Sequence, residues 1–445
     1  MSTPTAQSPP SGSRQRTRSC AIGLVCHRCE HHYPLEDTVF ACPDCGKGLD
    51  IEYDYELAAR HFQDVPRSER PQNIWHFEEL LPIVDASAQA RVGQTAGYTP
   101  LLRADRLGAE LGLGNLYLKD DSTSRPSLSY KDRVVSMSVA RLLELGKLEI
   151  GCVSTGNVGT AVASMAAKAG VDAYVFYPNR LEDMKARACR ALGAKVCQVE
   201  GNYDEANRRC KELALATGMD FANITLRPFY AEGAKTAAFE IVEQLDWQAP
   251  EHIITAAAGG TLSSRLHKGL GELQHLGLAE TDPTHIHIAQ PSGCNPIATA
   301  ILAEEAEVVA VTPETAAHSL AIGAPGDGYL VIDAVLKRGG TAGFASDPEI
   351  FAGIDLLAAT EGLLTEPAGG TTIAVLEKLA AAGRFAPDDT IVAIITGNGL
   401  KTLDDHPAKP WPDKIACELD AMLAALAELK SSGSLVESAR EQLHV

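Results

Sequence analysis

From Gly97 onward this chain alternates short β-like runs with longer amphipathic stretches, and no other feature constrains its fold as tightly. Strand candidates are LYLK (116–119), GCVST (151–155), AYVFY (173–177), KVCQV (195–199), HIITAA (252–257), HIHIAQ (285–290), EVVAV (307–311) and IVAIIT (391–396). Helix-patterned runs such as VASMAAKAG and LEDMKARACRALGA lie between them. Strands alternating with helices of this length predict an α/β fold with mostly parallel sheets. Glycines fall at several strand-to-helix junctions, where open α/β sheets place their ligands.

The flanks read differently. Residues 1–20 are polar and rich in Pro, Ser and Arg, without the apolar stretch of a secretory signal. A disordered tail is the expected reading there, with an organelle transit peptide as the alternative. Residues 21–55 carry two C-x2-C knuckles, Cys26–Cys29 and Cys42–Cys45, whose four thiolates can converge on Zn²⁺. A closed four-cysteine site of this kind is structural; a metal-free knuckle or two disulfides are the alternatives. His27 and His31 are close by but unneeded as ligands. Residues 56–95 read as a charged, helical connector, 96–405 as the main body, and 406–445 as two amphipathic helices broken at a Ser-Gly.

Composition excludes several classes. A net charge of −19 argues against nucleic acid as a main partner, though not against a small anion held by local cations and helix N-termini. No run of about 20 apolar residues is present, so no membrane-spanning helix is expected. The eleven cysteines are odd in number and mostly scattered in apolar contexts, which suits a reducing cytoplasm.

Five short motifs carry the chemistry. PSLSYKDR places Lys131 after hydroxyl residues and before an apolar, helix-compatible run. In STGNVG a strand ends and Gly156-Asn157 turns into a helix, presenting an amide at the mouth of the sheet. AAAGGTLSS runs from an apolar strand through Gly259-Gly260-Thr261 into a helix, a design that offers backbone N–H groups and a helix dipole to a phosphate. Thr261, Ser263 and Ser264 add hydroxyls. TEPAGG puts two glycines before another helix, and ITGNGLK ends the last strong strand at Thr396. Taken singly, each glycine turn reads equally well as a plain strand-to-helix junction. No G-x-S-x-G, H-E-x-x-H or G-x-x-x-x-G-K-[ST] signature competes with them.

Taken together, the order and spacing of these motifs resemble the fold-type II pyridoxal-phosphate enzymes of the tryptophan synthase beta-like superfamily. Within that group they look most like the threonine synthase family, over about residues 22–405. LVCHRCEHHYPLEDTVFACPDCGKGLDIEYDYE is similar to the zinc-ribbon extension of many of its members. The resemblance implies two open, mostly parallel α/β lobes plus an N-terminal zinc-ribbon-like module. It makes Lys131 the Schiff-base lysine and catalytic base. Asn157 would bond the cofactor's phenolic oxygen, and Thr396 would face its pyridine nitrogen. Ala258, Gly259, Gly260 and Thr261 would hold its phosphate. Ser127, Ser129, Arg133, Ser154, Thr155 and Asn157 become candidates for the substrate, and Cys26, Cys29, Cys42 and Cys45 for structural zinc.

The implied activity is that of a lyase acting on a small, anionic, phosphorylated amino acid in amino-acid biosynthesis. Threonine synthase chemistry, O-phosphohomoserine plus water giving threonine and phosphate, is the leading expectation. A cysteate-synthase-like β-replacement on O-phosphoserine with sulfite is the rival, and HSLAIGAPGDGYL resembles a version found in both groups. A non-catalytic, zinc-containing binding or regulatory relative is the third reading. The family pattern N-P-T-G-S-F-K-D is here Arg125-Pro126-Ser127-Leu128-Ser129-Tyr130-Lys131-Asp132. Arg125 and Leu128 are therefore expected to alter the wall of the substrate site. The resemblance also implies a homodimer.

Overall fold

The computed structural model describes residues 15–37, 39–154, 156–178, 183–407, 414, 416–431 and 443. At the N-terminus, β1 (Ala21–Cys26), β2 (His32–Pro34) and β3 (Leu49–Tyr53) form a small antiparallel sheet in the order β2-β1-β3. The remaining strands make two further sheets. β4 (Leu101–Arg103), β5 (Asn115–Asp120), β9 (His252–Ala256), β10 (His285–Pro291), β11 (Thr341–Ala345) and β12 (Thr390–Ile395) are ordered β11-β10-β9-β12-β5-β4. All these pairs are parallel except β4 with β5. β6 (Glu149–Val153), β7 (Asp172–Tyr177) and β8 (Lys195–Gln198) form a second parallel sheet. All five residues of β9 are buried, as befits a central strand covered by helices on both faces.

The strand candidates fall on β5, β6, β7, β8, β9, β10 and β12, with one exception. EVVAV (307–311) is not a strand. Val309 is 80% exposed, and Val308 packs on Gly328 beneath it. The stretch is irregular and lies over the start of the helix Gly328–Lys337 instead of entering a sheet. The strand at this edge is β11, TAGFA, whose composition gives little β signal. A side chain at Gly343 would meet Val375 at 2.7 Å, so the close approach of the helix Pro367–Ala381 requires a glycine there. In that helix Gly369 and Gly370 lie inside the first turns, not before them.

The helix Arg227–Gln244 is buried along nearly its whole length and packs on the helices Lys131–Glu144 and Thr261–His275. A Cβ at Gly233 would lie 2.3 Å from the Arg133 carbonyl oxygen, so the helix crossing depends on that glycine. The polar residues of this helix are paired inward. Glu240 takes Lys119 at 2.7 Å and also pairs with Arg133, and Lys235 joins Glu232 (2.6 Å) to Glu272 (2.8 Å).

The flanks differ from expectation. The connector 56–95 does contain the helices Tyr55–Asp64 and Ala86–Arg91 and a 3₁₀ turn at Ile74–Leu80. It packs into the body, with Ile74, Trp75, Phe77, Leu80, Leu81 and Ile83 buried in the main core. Residues 15–20 also belong to the fold. Thr17 N–H donates to the Val84 carbonyl (3.1 Å), Cys20 N–H to that of Glu79 (2.9 Å), and Arg16 bridges to Asp85. The rest of the expected N-terminal tail lies outside the described residues. At the other end the helix Leu419–Ser431 is present, and the second expected helix lies outside them too, Leu443 apart. No described helix is long and apolar enough to cross a membrane.

Candidate active site

A cleft of about 520 Å³ opens where β6 and β9 end. Lys131, Ser154, Asn157, Gly259, Gly260 and Thr261 all line it, although they come from three separate stretches of chain. Both strand ends run straight into helices, so the two turns face one crevice, as open parallel sheets dictate.

Lys131 is the first residue of its helix and is only half-buried. Its ammonium donates to the Tyr130 hydroxyl and lies 4.2 Å from the centre of that ring. The tip of β12 holds the turn in place: Tyr130 N–H donates to the Thr396 carbonyl (2.9 Å), and Asn398 N–H to that of Leu128 (3.1 Å). Behind the lysine, Ser127 N–H donates to the buried Asp132 carboxyl at 3.0 Å. Burial pushes the Asp132 pKa up to about 7, outweighing that N–H and the nearby Lys401.

The Gly-Asn turn is built around glycine. Gly156 has φ +143°, and a Cβ there would meet the Lys185 chain at 2.5 Å. Ser154 Oγ accepts from Gly156 and Gly159 N–H, both at 2.9 Å, closing the helix start. Asn157 donates from Nδ2 to Glu366 (2.6 Å) and accepts from Lys401 at Oδ1 (2.9 Å). Glu366 also pairs with Lys185 at 2.9 Å. Burial alone would raise the Glu366 pKa, but Lys185 and Lys401 hold it below the usual carboxylate range. Burial lowers that of Lys401 against the pull of Glu366.

Opposite lies the glycine turn. Gly260, at φ +96°, caps the helix Thr261–His275 and has no room for a side chain, since a Cβ would meet Val331 at 2.8 Å. Thr261 Oγ1 accepts from Arg227 (2.9 Å) and donates to Asp327 (3.3 Å), and Arg227 pairs with Asp327. Ser264 Oγ donates back to the Thr261 carbonyl at 3.2 Å. Ser263 is different: its hydroxyl is buried, lines the cleft and has no hydrogen-bond partner among the described residues. An orphaned hydroxyl on the first turn of a 15-residue helix, lining the cleft beside the Gly259-Gly260 turn, is a fit for a phosphate.

Not every candidate reaches the cleft. Arg133 is fully buried, with its guanidinium on Asp121 (2.7 and 2.8 Å), Glu240, Thr99 and Thr236, so it holds helices together and does not face substrate. Its place two residues after Lys131 puts it on the opposite side of the helix. Ser127 and Ser129 are buried behind the cleft, 3.3 Å apart at their hydroxyls, and Thr396 is buried against Tyr130. Thr155 lies outside the described residues. Arg125 is exposed and Leu128 half-buried at φ +58°, and neither lines the cleft, so the expected change to its wall is not made by them. The sequence reading missed Tyr130, Arg208, Lys211, Arg227, Tyr230 and Asp327, all on the cleft wall. RPFYAEG and APGDGYL carry Arg227 and Asp327, but nothing in either run points to the other.

In the small N-terminal sheet the sulfurs of Cys26, Cys29, Cys42 and Cys45 lie within 4.8 Å of one another. Cys26 to Cys45 is 3.4 Å, Cys29 to Cys42 3.5 Å and Cys29 to Cys45 3.8 Å. Four thiolates at the zinc–sulfur bond length form a tetrahedron with edges of roughly 3.8 Å, whereas a disulfide needs about 2.0 Å. The donor set and its spacing fit a closed tetrahedral metal site.

Residues 92–397 match the family described as pyridoxal-phosphate dependent enzyme. The chain belongs to that family, and pyridoxal phosphate is its cofactor. Within it, the chain belongs to the threonine synthase family. It is 35% identical over 407 residues to threonine synthase of Methanocaldococcus jannaschii, covering 91% of this chain and 99% of that protein. Threonine synthase of Methanosarcina acetivorans is 33% identical over 383 residues, 85% of this chain and 92% of the relative. Holo diaminopropionate ammonia lyase from Escherichia coli superposes with a TM-score of 0.61 at 18% identity, over 87% of this chain and 96% of that one. That likeness shows the shared fold.

Proposed function

We propose that this chain is a threonine synthase, converting O-phosphohomoserine and water to threonine and phosphate. One observation carries the reading: the Lys131 amine opens into the same cleft as a glycine turn with an orphaned serine hydroxyl at a helix N-terminus. Bound there, pyridoxal phosphate supplies an electron sink that acidifies the carbon bearing the substrate's amine. Ala258, Gly259, Gly260, Thr261 and Ser263 would hold its phosphate and Asn157 its phenolic oxygen.

The chain's own residues then do the rest. Lys131 Nζ removes the Cα proton and returns it. The Tyr130 hydroxyl, hydrogen-bonded to that amine, keeps it aimed into the cleft. Asn157 is steadied by Glu366 and Lys401 and so presents a fixed donor. Arg208, Lys211 and Arg227 line the cleft of a protein whose net charge is −19, and they attract a dianionic leaving group locally. Ser154 and Asn157 are the lining residues assigned to the substrate's carboxylate. Cys26, Cys29, Cys42 and Cys45 hold structural zinc. A cytoplasmic homodimer completes the proposal.

Incubation with O-phosphohomoserine should release phosphate and threonine in equal amounts. Lys131→Ala should abolish this by about 10³-fold or more, with loss of the aldehyde-derived absorbance. Cysteate formed from O-phosphoserine and sulfite, without threonine from the first substrate, would replace the assignment.

A further inference from the structure

The four-cysteine module does not stand apart from the catalytic body. Phe40, Ala41, Gly46 and Gly48, which flank or follow the second knuckle, line the same cleft as Lys131, Asn157 and the Gly259–Thr261 turn. This stretch is held at its base and at its tip. At the base, the Asp50 carboxylate takes Arg265 and Lys268, both at 2.6 Å, and the Tyr53 hydroxyl donates to Glu232 at 2.8 Å. Arg265 stands on the helix whose first turn is the phosphate-suited one. At the tip, the Lys211 ammonium lies 5.6 Å from the centre of the Phe40 ring, and Lys47 lies 4.8 Å from that of Tyr329. Lys211 belongs to the helix Tyr203–Thr217, which packs on the small parallel sheet. The knuckle therefore spans from the large sheet's helices to the small sheet's helix, over the mouth of the cleft.

Its internal support is slight. Cys42 N–H donates to the Lys47 carbonyl and Gly46 N–H to that of Cys42, both at 2.8 Å, and His27 N–H donates to that of Gly48 at 3.2 Å. All three bonds stay within the module. A loop this short, with little apolar core of its own, is fixed by thiolates converging on one metal ion.

We propose that the metal-held second knuckle is a wall of the catalytic cleft, and that Phe40 is the residue setting how closely this wall confines the substrate at Lys131. The inference rests on the assignment of the cleft as the cofactor and substrate site. The knuckle's metal thereby determines access to Lys131 as well as the fold of the small module.

The test follows the rate at which hydroxylamine strips the cofactor from the purified holoenzyme, read by absorbance, together with zinc content and the KM for O-phosphohomoserine. Phe40→Ala should keep its zinc and its cofactor, yet react with hydroxylamine about fivefold faster and show a raised KM with kcat changed less. Chelation of the metal, or Cys42→Ser, should give the same acceleration with zinc lost. Equal hydroxylamine rates in wild type, Phe40→Ala and metal-depleted enzyme would overturn the inference, even where Cys42→Ser fails to fold. Hydroxylamine reads the wall whatever the substrate. An enzyme that makes no threonine but shows the contrast disproves the substrate alone, and one that makes threonine without the contrast disproves the wall alone.

Discussion

Ser263 and Arg133 show how a residue's neighbours decide its role when its position in the chain does not. Ser263 was legible only as one of three hydroxyls after a Gly-Gly. The structure separates them, because Thr261 is engaged by Arg227 and Asp327 and Ser264 by the backbone, which leaves Ser263 unpartnered. A hydrogen bond to a charged group contributes about 1.5–3 kcal/mol, so Ser263→Ala should weaken pyridoxal phosphate binding by roughly 10- to 100-fold. Titration of the apoenzyme with cofactor checks this. Arg133, a substrate candidate by its nearness to Lys131, follows it by two, a spacing that turns a helical side chain to the far side. Its loss would strand Asp121 and Glu240 without their main counter-charge. Arg133→Met should therefore cost about 3–5 kcal/mol in urea denaturation, and the folded fraction should retain the wild-type KM.

Elements were legible where period and composition agreed. β12 holds a continuous apolar run, and β9 and β10 are short and rich in isoleucine, patterns that identify buried parallel strands. EVVAV has the composition of a strand without a partner edge, and β11 has a partner edge with the composition of a turn. Pairing is a non-local property, and a local window reads only the first half of it. The same holds for helix packing. Nothing in PFYAEGAKT reveals that Gly233 sits on the backbone of the Lys131 helix, since the contact joins residues 100 positions apart. A methyl there cannot be accommodated by a side-chain rotation, because the obstacle is the Arg133 carbonyl at 2.3 Å. Gly233→Ala should force the two helices apart, destabilise by about 1–3 kcal/mol and displace Lys131. Thermal unfolding and kcat would be expected to fall together.

Over the whole molecule, the net charge was legible but the pairing of its buried carboxylates was not, and the pairing governs how stability responds to pH. Glu240 is fully buried, yet Arg133 and Lys119 overcome that burial and lower its pKa to about 2. Against an unfolded value of 4.5, the unfolded chain binds more protons between these limits, so stability rises with pH there. This contribution, on the order of 3 kcal/mol, is fully present above about pH 4.5 and is lost as pH falls through about 2. Asp132 acts in the opposite sense. Burial raises it to about 7 from 3.8, so the folded chain binds the extra proton and its stability declines as pH climbs between those values. The two windows barely overlap, and urea midpoints measured from pH 2 to 8 should resolve them. Glu240→Gln should flatten the acid limb by up to about 1.4 kcal/mol per pH unit and leave the limb above pH 5 unchanged. Asp132→Asn, which keeps an acceptor for Ser127 N–H, should flatten the upper limb alone. An upper limb that persists in Asp132→Asn would place its proton on another group, and Lys131 would then stand beside a carboxylate that is ionised throughout the neutral range.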